Sequence, residues 1–169
     1  MARPSIPVRL ARLSASNMLM LAEAFLVLAI ASMAIQLLPF RKVVATMSVR
    51  DSQALGDLDL DEQVRVLRQC RWAVQSWADR VPWKAVCFQR GLALHWMLRR
   101  RSIPSVMHYG VSQGAKRGLA AHVWLTLREH VILGGDVTED YACLATFPAS
   151  ASEPELLQPL RATRPVQKP

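Results

Sequence analysis

Residues 18–40 are apolar except at Glu23, Ser32 and Gln36. No other stretch of the chain limits its fold so strongly. The run is long enough to cross a hydrocarbon core, which takes about 20 residues as a helix. It is apolar nearly all round, which fits burial better than a surface stripe. Asn17 is placed to cap it, Pro39 ends it, and Arg41 and Lys42 follow. Three placements compete: a transmembrane helix, a helix packed on the rest of the chain or on a partner, and an interfacial helix. Arg3, Arg9 and Arg12 precede the run, so basic residues flank both ends and blur the topology that charge would otherwise set.

Charge narrows the function classes. Against 13 acidic side chains stand 21 Lys and Arg, a formal net charge of +8. That balance suits an acidic peptide, an acidic protein, a membrane surface or nucleic acid. Nucleic acid is set aside, because the chain has no aromatic-basic stripe, zinc-finger spacing or RNA-binding signature. Cys70, Cys87 and Cys143 include no Cys-x-x-Cys pair, and their odd count argues against a disulfide framework. No small-residue cleavage site follows a short apolar core. A reducing, cytoplasmic compartment is expected, with membrane association through residues 18–40 left open.

The pattern divides the chain into a basic N-terminus with the apolar helix (1–50), a catalytic core (51–148) and a disordered tail (149–169). Residues 51–62 hold five of the thirteen acids and read as an acidic linker. A helix is predicted over 61–78, with Val64, Leu67, Cys70, Val74 and Trp77 on one face. Pro82 disfavours helix at Val81, and a second helix is predicted over 86–101. Arg99, Arg100 and Arg101 load its C-terminus and read as a solvated end or a docking patch. Strands follow at 106–111, 121–127 and 131–135, with a turn at 113–118 and a last short strand in 141–147. His122, Trp124 and Thr126 share one strand face, and Val123, Leu125 and Leu127 the other.

Chemistry concentrates at Cys87, His122 and Asp136. A thiol at a helix start is favoured as thiolate by the helix dipole. An imidazole on a facing strand can take its proton. A carboxylate just past the following strand can hold the imidazole tautomer. Each residue has a plainer reading: Cys87 as a small buried hydrophobe, His122 as a satisfied histidine, Asp136 as a turn residue. The three in this order are more specific than any one of them. Cys70 and Cys143 read as buried, His95 as packing, His130 as a solvated turn residue. His108 rivals His122 as base, and Asp140 rivals Asp136. Trp83 and Trp124 flank the site.

Several stretches resemble the lasso peptide biosynthesis B2 proteins: Cys87-Phe-Gln-Arg90 through Ile103-Pro104, His108-Tyr-Gly-Val111, Ala121-His-Val-Trp124, Val131 to Asp136, and Tyr141 to Pro148. The helix ending Leu37-Leu-Pro-Phe-Arg41 extends the resemblance to residues 17–148. It implies an α+β fold with a papain- and transglutaminase-like core, the nucleophile-bearing helix packed on a small antiparallel sheet behind a long apolar N-terminal helix. It implies a cysteine peptidase that removes the leader of a ribosomally made precursor, with Cys87 as nucleophile, His122 as base and Asp136 as third residue. No metal or cofactor is expected. The implied partners are the precursor peptide, a small leader-recognition protein and a separate ATP-dependent cyclase. Two other readings remain: an acyltransferase with an amine acceptor on the same fold, and a non-catalytic, membrane-tethered adaptor.

Overall fold

A computed structural model of the chain describes residues 14–47, 59–115, 118–128, 130–135 and 140–148. Most of the acidic linker, the basic N-terminal residues and the tail from 149 lie outside the described residues. The described fold is α+β. Helices α1 (Ala15–Leu37), α2 (Phe40–Met47), α3 (Leu60–Ala78) and α4 (Cys87–Arg99) precede strands β1 (Val106–Ala115), β2 (Gly118–Leu127), β3 (His130–Leu133) and β4 (Ala142–Phe147). The strands form one antiparallel sheet in the order β3-β2-β1-β4.

The apolar run begins earlier than expected. Ser14, not Asn17, caps α1, its hydroxyl accepting from the Asn17 N–H at 3.3 Å. Pro39 lacks an N–H and breaks the helix, and the chain turns at once into α2, with Lys42 N–H donating to Pro39 O at 2.8 Å. Leu21, Ala24, Val27, Leu28 and Ala31 are buried, and α1 packs on α3 and α4. The Trp77 indole N–H donates to Leu21 O at 2.8 Å.

The one acid of the run explains the arginines that follow α4. Glu23 accepts from Arg100 at 2.6 Å and from Arg101 at 2.9 Å. Its carboxyl lies below the ordinary carboxylate range, chiefly because Arg101 hydrogen-bonds it. Arg99 donates to Thr46 O of α2 at 2.6 Å. The arginine run is therefore a clamp on the N-terminal helices, not a solvated end. The expectation failed because a run of like charges shows its partners only once distant residues are brought together. Of the three placements, α1 is packed on its own chain. Its outer side stays apolar: Leu19, Leu26, Ile30, Met33 and Leu37 are exposed, and their spacing places them in one stripe. By length and composition α1 also suffices to cross a membrane.

Helix α3 matches its prediction closely, with Leu67, Cys70 and Val74 buried and Ala73 and Gln63 beside them. In α4, Leu92, Ala93, Leu94, Met97 and Leu98 are fully buried. Gly91 is where α4 meets β2: a Cβ there would come within 3.0 Å of Leu125 and 3.1 Å of Val123. The β1–β2 hairpin is longer than expected. Its ladder continues past an irregularity between Ser112 and Ala115, and most of the predicted 113–118 turn is strand. His130 opens β3 opposite Leu127 instead of lying in the turn. Cys143, expected to be buried, is exposed, because β4 is an edge strand and Ala142 to Leu144 face solvent.

His95 packs as expected. It is buried, with Nδ1 2.9 Å from Ser105 Oγ. Burial, then the Arg99 charge, pushes its pKa down to about 4. The unfolded chain takes up this proton near pH 6.5. The neutral ring therefore adds stability above pH 6.5 that is lost as pH falls toward 4. Urea denaturation at several pH values should show a loss of about 3 kcal/mol across that window. The loss should be largely absent in His95→Gln; an equal loss in that variant would assign the acid sensitivity elsewhere.

Candidate active site

Turns and bends over residues 79–83 lead from α3 toward α4, and Val86, in extended conformation, is the N-cap of α4. Valine has no side-chain acceptor, so it leaves the first-turn N–H groups uncapped by any side chain. Gln89 reaches back to the Val86 N–H at 3.1 Å and fixes the turn. The Cys87 thiol thus sits half-buried at a helix start whose backbone donors are open to an incoming oxygen.

Arg90 holds that turn in place. Its Nε donates to Ala85 O at 2.6 Å, and its guanidinium pairs with Asp79 at 2.9 Å. One side chain therefore ties the end of α3 and the residue two before Cys87 to the helix that Cys87 begins. The Cys-x-x-Arg spacing carried this signal in the sequence, since i and i+3 lie on one helix side. What Arg90 grips was not legible there.

Cys87 and His122 line one open cavity of about 520 Å³, together with Trp83, Arg90, Val123 and Gly134. Among the described residues no hydrogen bond joins the thiol to the imidazole. His122 is held instead by backbone: Nε2 lies 2.9 Å from Gly134 O. Gly134 has φ +74°, and a Cβ there would come within 2.8 Å of Val123 O and 3.1 Å of His122 Nε2. Glycine is needed at this position both for its backbone angle and for the close approach. Tyr141 flanks the imidazole with ring centroids 5.2 Å apart. Trp124 is also beside the imidazole, with centroids 6.3 Å apart, in the space that Gly110 leaves on β1.

The remaining candidates separate. Asp136 lies outside the described residues. Asp140 is exposed and makes no hydrogen bond to His122. His108 is turned toward Thr126 Oγ1, 2.8 Å from its Nε2, and does not line the cavity. Trp83 lines the cavity while Trp124 is buried in the sheet face. The Trp83 indole N–H is buried with no acceptor among the described residues. No group of three or more potential metal ligands occurs among the described residues.

The profile of the transglutaminase-like superfamily matches residues 25–146, most of the chain. The chain belongs to the transglutaminase-like superfamily. The match takes in α1 from Phe25 onward, α2, α3, α4 and the sheet as far as Thr146. No curated protein and no solved structure matches significantly. Membership in the superfamily is what a thiol at a helix start sharing a cavity with a strand imidazole would lead one to expect of a cysteine peptidase or acyltransferase.

A carbonyl can only accept, so the bond to Gly134 O requires the proton on His122 Nε2. The neutral ring then carries its lone pair on Nδ1, the nitrogen available as base. Nitrogen-15 chemical shifts of the imidazole should show the Nε2–H tautomer. A predominant Nδ1–H tautomer would mean that the Gly134 bond does not govern the ring.

Proposed function

We propose that the protein is a cysteine peptidase that removes the leader from a ribosomally made lasso peptide precursor, so that a separate cyclase can close the core. The observation that carries the reading is Cys87 at the start of α4 sharing a cavity with His122. Superfamily membership supports the thiol chemistry. The motif stretches Cys87 to Arg90 and Ala121 to Trp124 support the narrower assignment by resemblance.

The steps follow from the residues. His122 Nδ1 accepts the Cys87 proton, and the thiolate attacks the scissile carbonyl. Thiol and imidazole come into contact when the peptide fills the cavity, as catalytic hydrogen bonds commonly tighten on substrate binding. The oxyanion faces the Cys87 backbone N–H, one of the donors Val86 cannot cap. Collapse breaks the C–N bond, and His122 returns the proton to the departing amine of the core peptide. The leader remains as a thioester on Cys87. Water, deprotonated by His122, releases it as a carboxylate. Asp136 is retained in this reading as a carboxylate that steadies the imidazolium, in addition to the Gly134 carbonyl. An amine in place of water would give acyl transfer, which the mass of the product distinguishes.

The outward stripe of α1 is assigned to assembly with the small leader-recognition protein. That face is apolar, yet the helix is already fixed to its own core by Glu23. Leu26→Glu combined with Ile30→Glu should abolish co-purification with the recognition protein and leave the melting temperature within a few degrees of native. Sedimentation of the native chain with membranes, extractable only by detergent, would place lipid there instead.

Cys87→Ala and His122→Ala should each reduce precursor cleavage by several orders of magnitude, and the double variant should be no worse than either single one. Folding, followed by a melting curve, should be retained. Mass spectrometry of precursor incubated with the recognition protein reads the outcome. Turnover by the Cys87 variant would reject the peptidase assignment to this residue.

A further inference from the structure

The sheet face turned away from α4 carries a second thiol beside a second imidazole. Cys143 is exposed on edge strand β4, and its Sγ lies 3.9 Å from His108 Nδ1 on β1. His108 Nε2 lies 2.8 Å from Thr126 Oγ1 on β2. Its ring is stacked on Trp124, with centroids 5.3 Å apart and planes 5° from parallel. The antiparallel register sets this row: His108 is opposite Trp124, and Cys143 is opposite Gly110, which has no side chain to cover the sulfur. Three adjacent strands thus supply a thiol, a base and an orienting hydroxyl, none of them lining the Cys87 cavity.

We propose that Cys143 is a modification site, a thiol activated by His108 that reacts with small peroxides. The inference does not depend on the peptidase reading. When Thr126 Oγ1 accepts from Nε2–H, the lone pair of Nδ1 faces the sulfur. Transfer of the thiol proton to Nδ1 leaves a thiolate beside an imidazolium whose two N–H groups both have acceptors. Ala145 O also lies near the sulfur, at 3.6 Å. It can accept a hydrogen bond from the neutral thiol but cannot take its proton. Trp124 stacking holds the imidazole plane against rotation. The three thiols then differ by surroundings: Cys70 is fully buried and burial pushes its pKa up, Cys87 lies in the cavity, and Cys143 is open to solvent with a base beside it.

The reaction balances with the peroxide as oxidant. The thiolate sulfur attacks one peroxide oxygen, an S–O bond forms and the O–O bond breaks. Sulfur loses two electrons and the peroxide gains them. The departing hydroxide takes the imidazolium proton and leaves as water. Cys143 is then a sulfenic acid, which a low-molecular-weight thiol converts to a mixed disulfide with loss of a second water.

The test uses the full chain, hydrogen peroxide and dimedone, with peptide mapping by mass spectrometry and the oxidation rate of glutathione measured in a separate reaction as the standard. Dimedone labelling at Cys143 should outpace glutathione by roughly tenfold or more, while Cys70 stays unlabelled. His108→Ala and Thr126→Val should each bring the Cys143 rate down to that of glutathione. The Thr126 variant serves if the His108 variant fails to fold. A native Cys143 rate no greater than that of glutathione would overturn the proposal. So would an unchanged rate in both folded variants, which would mean that exposure alone sets reactivity.

Discussion

The approach of α4 to β2 at Gly91 is the contact on which the rest of the structure depends. With no side chain there, the helix settles directly on Val123 and Leu125. Its other sides are covered by α1 and α3, so that Leu92, Ala93, Leu94, Met97 and Leu98 leave almost no surface to water. A helix apolar on nearly every side has one place it can sit, the centre of the layer. Its first residue, Cys87, is then fixed in space by packing that involves no polar group of the site. The arginines at the far end of the same helix draw in α1 and α2 through Glu23 and Thr46 O. One helix thus carries Cys87 at its start and the attachment of the N-terminal segment at its end.

The site around Cys87 is built largely from backbone. Open N–H groups at the start of α4 offer positive potential without a charged side chain, because the cap is a valine. A glycine carbonyl orients the imidazole. Arg90, part of the cavity wall, spends its charge on Asp79 and Ala85 O and so braces the turn. A backbone-built site is rigid because its donors and acceptors move only with the helices and strands that carry them. It is also hard to see in a sequence, since it depends on a cap with no acceptor at Val86 and on side chains missing at Gly91, Gly110 and Gly134.

That distinction explains what the sequence disclosed. The 3.6-residue periodicity of α3 and the alternation of β2 depend on neighbours along the chain, and both were legible. So was the pairing of Cys87 with His122 in one region, because a helix start followed by a strand histidine is a local pattern in each half. The clamp of Arg99, Arg100 and Arg101 was not legible, because Glu23, though it stands out in an apolar run, is distant from them in sequence. Cys143 was misjudged because burial of a strand depends on whether it lies at a sheet edge, which a single strand does not reveal. The role of Gly134 was hidden because its carbonyl acts through a left-handed backbone angle. Asp136 is part of the sequence reading, and the described residues neither include nor replace its carboxylate.

The central claim is that Cys87 makes and breaks a covalent bond to the leader. Rapid acid quenching of the full chain during turnover of precursor and recognition protein, followed by intact-mass and peptide-mapping analysis, tests it most directly. The account predicts an adduct equal to the leader less one water, attached at Cys87 as a thioester, and its accumulation when His122 is replaced by a weaker base that still permits acylation. Cleaved precursor with no adduct at any quench time, or an adduct mapped to Cys143 instead, would contradict it.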